Sequence, residues 1–197
     1  MSAAPRMSLN IYTVREQWSL REAIEGCARH GVPAIAPWRD KLAELGVQEA
    51  AKLIADNGLA VSSLCRGGMF PAADVAGRQA AIDDNRRALD DAAALGAACL
   101  VLVVGGLPEG SKDLSDARRQ VEDGIGASLE HAREVGVPLA IEPLHPMYAA
   151  DRACVNTLSQ ALDICDALGA GVGVIVDVYH VWWDPDLESQ IERAGRE

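Results

Sequence analysis

The sequence predicts an α/β chain of TIM-type (β/α) barrel architecture, incomplete, with about six of the eight β/α units. Three observations predict it. A helical pattern closes on a glycine and an apolar run follows within a few residues, five times over: ARHG-VPAIAP, ADNG-LAVSSL, AALG-AACLVLVV, REVG-VPLAIEPL and DALG-AGVGVIVDV. The apolar runs are nearly continuous rather than alternating, which is the pattern of strands buried on both faces in a parallel sheet covered by helices. Polar side chains then follow the ends of several different runs, as they do at the working rim of a closed barrel.

Each element can be justified in turn. The first strand falls over Ser8 to Tyr12. SLREAIEGCARH then reads as a helix, with Ser19 as its N-cap, and stops at Gly31. A residue just past a helix adopts the left-handed conformation, which glycine reaches without a Cβ clash. VPAIAP is the second strand, GVQEAAKLIADN a helix stopping at Gly58, and LAVSSL the third strand. GRQAAIDDNRRALDDAAAL reads as a helix up to Gly96, its charged residues forming a solvated face, and AACLVLVV is the fourth strand. A long helix covers Asp113 to Glu134, and VPLAIEPL is the fifth strand. In TLSQALDICDAL, capped by Thr157, the residues Leu158, Ala161, Leu162 and Cys165 make one stripe to press on a sheet; GVGVIVDV is the sixth strand.

An open doubly wound sheet uses the same alternation, but its glycine-rich phosphate turn is missing after the first strand, where Asn10, Ile11, Tyr12 and Thr13 stand. A full barrel takes about 250 residues. The 197 residues are therefore read as a single domain, 1–197, truncated before strand seven.

Composition limits the partners. Lys and Arg number 18 against 29 Asp and Glu, a formal net charge of −11, whereas a nucleic-acid partner is held by cationic side chains that displace counterions. No nucleic acid and no membrane are expected; small polar substrates or metal cations fit better. The longest apolar run, Ala97 to Val104, is too short to cross a bilayer, and the opening MSAAPRMSLN has no apolar segment of signal-peptide length. Five widely spaced cysteines, never in a C-x-x-C arrangement, suggest neither a disulfide framework nor a zinc knuckle, which points to a reducing cytoplasm. Assembly into a homo-oligomer stays open.

Two acids stand out. Glu142 ends the run LAIEPL and Asp177 ends VIVDV, matching places at which an ionised carboxylate is costly to bury without a cation or a donor. Neighbouring strands would aim both at one spot, where a divalent cation can hold them together. A capping or ion-paired structural role is the alternative for each. Each is followed three residues later by a histidine, His145 and His180, which either contact substrate or form a hydrogen-bonded wall. Arg66 precedes two glycines that would let backbone approach a ligand; otherwise it is a loop arginine paired with a surface acid. Trp38, Trp182 and Trp183 gather scarce aromatic area near the mouth, as a sugar-binding wall or as core filling. His30 and His131 fall in helices and are expected on the solvent side.

IEPLHP, NTLSQALDICDALG and GVIVDVYHVWWDP resemble the sugar phosphate isomerase/epimerase family with the xylose isomerase-like TIM barrel, which includes ketose 3-epimerases and hydroxypyruvate isomerases. The likeness covers nearly the whole chain, including the strand ends APWRD and SSLCRGG. It implies that Glu142 is a metal ligand and the catalytic acid/base, that Asp177 is a metal ligand, and that His180 contacts a substrate oxygen. His145, Arg66 and Trp38 join the expected substrate-binding set. The implied cofactor is a divalent metal, Mn, Mg, Co or Zn, and the implied reaction is isomerisation or epimerisation of a small sugar or keto-acid substrate by proton transfer next to a carbonyl. The family also draws a histidine from the seventh strand and a glutamate from the eighth, strands this sequence does not contain. A zinc-dependent hydrolase resembling AP endonucleases and a non-catalytic truncated barrel are the alternative readings, the first disfavoured by the net charge.

Overall fold

Glycine-stopped helices and apolar runs fold into parallel strands, each leading into helix. The computed structural model describes residues 7–195, so the reading of the opening MSAAPR lies outside the described residues. In chain order the elements are β1 (Ser8–Asn10), a 3-10 turn (Ile11–Thr13), α1 (Leu20–Arg29), β2 (Ala34–Ala36), α2 (Arg39–Leu45), α3 (Val47–Asp56), β3 (Ala60–Val61) and β4 (Leu64–Gly68). They continue with α4 (Val75–Ala94), β5 (Leu100–Val103), α5 (Leu114–Val135), β6 (Leu139–Ile141), a second 3-10 turn (Pro146–Tyr148), α6 (Leu158–Leu168), β7 (Val172–Val174), α7 (Val178–Val181) and α8 (Leu187–Ala194).

The strands run parallel in the orders β1-β2-β3 and β4-β5-β6-β7. β3 and β4 are two halves of one strand line: the first bonds to β2, the second to β5, and the Cys65 N–H still reaches Pro37 O at 3.0 Å. Six barrel positions result, as the sequence predicts. Among the described residues β1 and β7 each pair along one edge only, and no helix is long and apolar enough to cross a membrane.

The local signals hold. All five glycines read as helix stops have φ between 64° and 74°. Ser19 caps α1 in a reciprocal box with Glu22, and the Thr157 hydroxyl accepts from the Gln160 N–H. Three short helices escape the sequence reading. α2 and α8 start without a side-chain cap, and α7 spans only four residues. The first strand is also shorter than read, because the Asn10 side chain accepts from the Tyr12 N–H and turns the chain into a 3-10 helix.

Side chains alternate across a strand, so register sorts them into two sets. Leu64 pairs with Leu100, and Leu100 with Leu139; these, with Leu102 and Ile141, are fully buried and join one core cluster with Ala88, Leu89, Val121 and Ile125 of α4 and α5. Cys65, Val101, Val103 and Ala140 have the opposite parity and face the barrel axis.

Two sequence readings need correction. The glycines after Arg66 serve packing rather than ligand approach. A Cβ at Gly67 would meet Asn85 Oδ1 at 2.5 Å, and one at Gly68, whose φ is +102°, would meet Val103 O at 2.1 Å. Within IDDNRRALDD, taken as a solvated face, Asn85 is fully buried. Its side chain accepts from the Gly68 N–H at 2.7 Å and donates to Gly68 O at 2.8 Å and Ala81 O at 2.9 Å. Arg39, at the end of the second strand, is held away from the mouth by a two-pronged pair with Asp84 at 2.7 and 3.0 Å. The peptide bond between Cys65 and Arg66 is cis.

Replacing Asn85 by alanine leaves the Gly68 N–H and C=O buried without partners, at about 1–3 kcal/mol for each group left unsatisfied. Urea unfolding of Asn85→Ala is expected to give a stability loss of about 2–6 kcal/mol, whereas Asn57→Ala, which removes one helix-end bond to Leu53 O, costs about 1 kcal/mol.

Candidate active site

Register decides where the two acids go. Ala140 pairs with Gly173 and Ile141 with Val174, and the Ile175 N–H extends the ladder to Ile141 O at 2.8 Å. Counting by twos puts Glu142 on the same face as Ala140, and Asp177 on the same face as Gly173. Both carboxylates therefore project from the ends of adjacent strands toward the barrel axis.

Their environments differ. Asp177 caps α7, its Oδ1 accepting from the Tyr179 N–H at 2.8 Å. The Glu142 carboxylate accepts no hydrogen bond from any described side chain or backbone N–H. Burial, and then the negative charge of Asp177, push its pKa up from 4.5 to about 7. The Cys65 thiol is held far above its ordinary value by burial and by Glu142, which places Cys65 beside that carboxylate and keeps it an inert thiol.

Next to the acids the two histidines are coupled. The His145 N–H donates to His180 Nδ1 at 3.4 Å, which leaves the ring proton of neutral His180 on Nε2. Burial lowers the His180 pKa, against the pull of Asp177, so the ring is neutral at neutral pH. Tyr148 and Tyr179 meet the His180 ring edge-on at 5.7 and 5.0 Å, and the Trp183 indole N–H donates to His180 O at 2.9 Å. The ring of His145 accepts from the Met147 N–H and lies against Trp182 and Trp183. The contact of His145 with His180 is therefore made by its backbone N–H. Trp182 is largely exposed at this rim.

Across the mouth, Trp38 donates from its indole N–H to Asn10 Oδ1 at 2.8 Å and lies tilted on Tyr12, with ring centroids 4.6 Å apart. Arg15 covers both rings and pairs with Asp40 at 2.6 Å. The sequence reading missed Tyr12 and Arg15; the position of Tyr12 at the end of the first strand was the available signal. Arg66 stands exposed in the middle of β4, at the register shift between Cys65 and Gly67, and touches Met69 Sδ at 3.6 Å, with no acidic partner among the described residues. Away from the mouth, His30 is exposed, while His131 lies half-buried between α4 and α5 and pairs with Asp90 at 2.8 Å.

Two carboxylates aimed at one spot, one of them short of donors, suit a hard divalent cation. No third His, Cys, Asp or Glu joins them in a cluster that could hold a metal ion among the described residues. A separate cavity of about 460 Å³ flanks the outer edge of β7, lined by Leu162, Cys165, Val174 and Ala194; neither acid lines it.

A family model described as the xylose isomerase-like TIM barrel matches residues 24–197. The chain belongs to that family. The resemblance carried by IEPLHP and GVIVDVYHVWWDP holds at this level. This xylose isomerase-like barrel is 65% identical to a protein from Sinorhizobium meliloti 1021, covering 97% of this chain and 70% of that one, with a TM-score of 0.96. A D-psicose 3-epimerase crystallised in the presence of D-fructose shares the fold at 18% identity, with 96% of this chain and 70% of that one covered and a TM-score of 0.80. An IolI protein with a bound zinc atom shares it at 21% identity, over 89% of this chain and 64% of that one, with a TM-score of 0.75. No curated protein matches the chain.

A carboxyl whose pKa rises from 4.5 to about 7 on folding favours the native state fully below pH 4.5, and that advantage disappears as pH climbs through 7. At pH 8 the ionised, desolvated Glu142 costs about 3 kcal/mol relative to pH 4. Glu142→Gln, which removes the titration, is expected to be more stable than the parent by up to about 3 kcal/mol at pH 8 and by less than about 1 kcal/mol at pH 5. Urea unfolding in EDTA at the two pH values checks this.

Proposed function

We propose that this barrel carries the Glu142 and Asp177 half of a divalent-metal-dependent isomerase or epimerase acting on small α-hydroxycarbonyl compounds, sugars or keto acids. The observation that carries the reading is the largely buried Glu142 carboxyl, short of protein donors and facing the axis beside Asp177. A carboxylate left without protein donors is available both to a cation and to a C–H proton next to a carbonyl.

Glu142 and Asp177 would hold the cation, which polarises the substrate carbonyl and acidifies the neighbouring C–H. Glu142 takes that proton, leaving the electron pair delocalised as an enediolate. The same proton returned to the adjacent carbon, with the hydroxyl proton passing to the former carbonyl oxygen, gives the isomer; a proton taken up from water on the opposite face of the original carbon gives the epimer. His180 presents its Nε2–H to a substrate oxygen, its Nδ1 being engaged by the His145 N–H. Trp38 and Tyr12 offer aromatic faces to the apolar side of a sugar. The similarity to a D-psicose 3-epimerase and to a zinc-bound IolI protein supports sugar chemistry and a divalent metal at this rim. The five free cysteines fit a reducing compartment, and we place the protein in the cytoplasm.

Supplied with Mn²⁺ in D₂O, the protein is expected to wash deuterium into hydroxypyruvate or a small ketose at the carbon next to the carbonyl. Glu142→Gln is expected to slow that exchange by about 10²–10⁴-fold, followed by proton NMR. Exchange at the parental rate in Glu142→Gln would rule out the proposed acid/base.

A further inference from the structure

Arginines in this protein are almost all committed. Every described arginine other than Arg66 reaches a carboxylate or a main-chain carbonyl. At the mouth, Arg15 is tied to Asp40 and Arg152 lies over the Tyr148 ring beside Asp151. Arg66 alone has only the sulfur of Met69, a weak acceptor, at 3.6 Å.

Its position is built with care. Cys65 pairs with Val101 and Gly67 with Leu102, so Arg66 is an extra residue at a register shift, and such shifts re-aim side chains. A Cβ on the adjacent Gly67 would meet Asn85, Leu100 and Leu102, so that side of the strand is filled, while Arg66 itself is exposed. The neighbouring Cys65 faces the barrel axis, the direction the Glu142 carboxylate also takes. The perch is rigid: Asn85 grips Gly68 on both backbone groups, the Met69 and Phe70 N–H groups donate to Val103 O and Val104 O at 2.9 Å, and Phe70 is buried. The net charge of −11 repels anions at long range, so holding one at this rim needs a local cation.

We propose that Arg66 binds an anionic group of the substrate, a carboxylate or a phosphate, and that this barrel acts on an acidic α-hydroxycarbonyl compound rather than a neutral sugar. The proposal rests on the reading of the mouth as a proton-transfer site. The guanidinium presents paired N–H donors that match two oxygens of either anion, and its neutral counterpart in the substrate would leave it unused.

The test is calorimetric titration of the intact protein, with Mn²⁺ present, by three probes of similar size: hydroxypyruvate, glycerone phosphate and neutral dihydroxyacetone. One of the two anions is expected to bind at least about tenfold more tightly than dihydroxyacetone, a preference worth about 1.4 kcal/mol, and which of them does so tells carboxylate from phosphate. Arg66→Met, a change at an exposed side chain, is expected to erase the preference, and Arg66→Lys to keep part of it. Equal binding of all three probes by the parent, or an anion preference that survives in Arg66→Met, overturns this inference and leaves the proton-transfer reading standing. Failure of all three to bind the parent overturns both.

Discussion

The two-residue alternation of side chains along parallel strands is the constraint on which the rest of this protein depends. It sends Leu64, Leu100, Leu102, Leu139 and Ile141 outward, where helices α4 and α5 cover them, and it sends Cys65, Val101, Ala140 and Glu142 inward. A slip of one residue in the pairing of β6 with its neighbours would put Glu142 into the helix-covered core and an apolar side chain at the mouth. The register is secured by the volume of the outer set and by close contact at Gly67, against the side chains of Asn85, Leu100 and Leu102, and at Gly68, against the backbone of Val103. Core packing and site geometry are therefore one problem, solved by the same pairing.

That pairing brings together two acids with opposite local economies. Asp177 is satisfied by the N-terminus of α7, whereas Glu142 is desolvated and lacks donors, so its proton is held until neutral pH. Glu142 stays the responsive member of the pair. Around them the supports are main-chain groups and rings: the His145 N–H fixes the His180 tautomer, Tyr148 and Tyr179 fix its plane, and the buried Asn156 donates to Leu144 O and steadies the segment that carries His145. Arg66 is the one described cation of this rim left to meet something from outside.

Much of this was legible in the sequence, and the limits are physical. Glycine stops and doubly buried strands announce themselves because they are local: each needs only its own few residues, and Gly31, Gly58, Gly96, Gly136 and Gly169 all adopt the expected conformation. Glu142 and Asp177 were legible because an acid ending an apolar strand has few structural explanations. Asn85 was hidden inside a run of charges, since a buried asparagine is marked only by what it meets across space. The packing role of Gly67 and Gly68 is hidden for the same reason, and so is the hydrogen bond from the His145 backbone N–H to His180. Helices α2 and α8 lack capping side chains, so tertiary packing and not local chemistry starts them.

The claim at the centre is that Glu142 and Asp177 jointly hold one divalent cation. Titration with Mn²⁺ followed by electron paramagnetic resonance at pH 8 tests it most directly. One ion bound per chain, with affinity falling at least about tenfold in Glu142→Gln and again in Asp177→Asn, is the predicted result, since each substitution removes a charged oxygen ligand. Parental stoichiometry and affinity in both variants would contradict it.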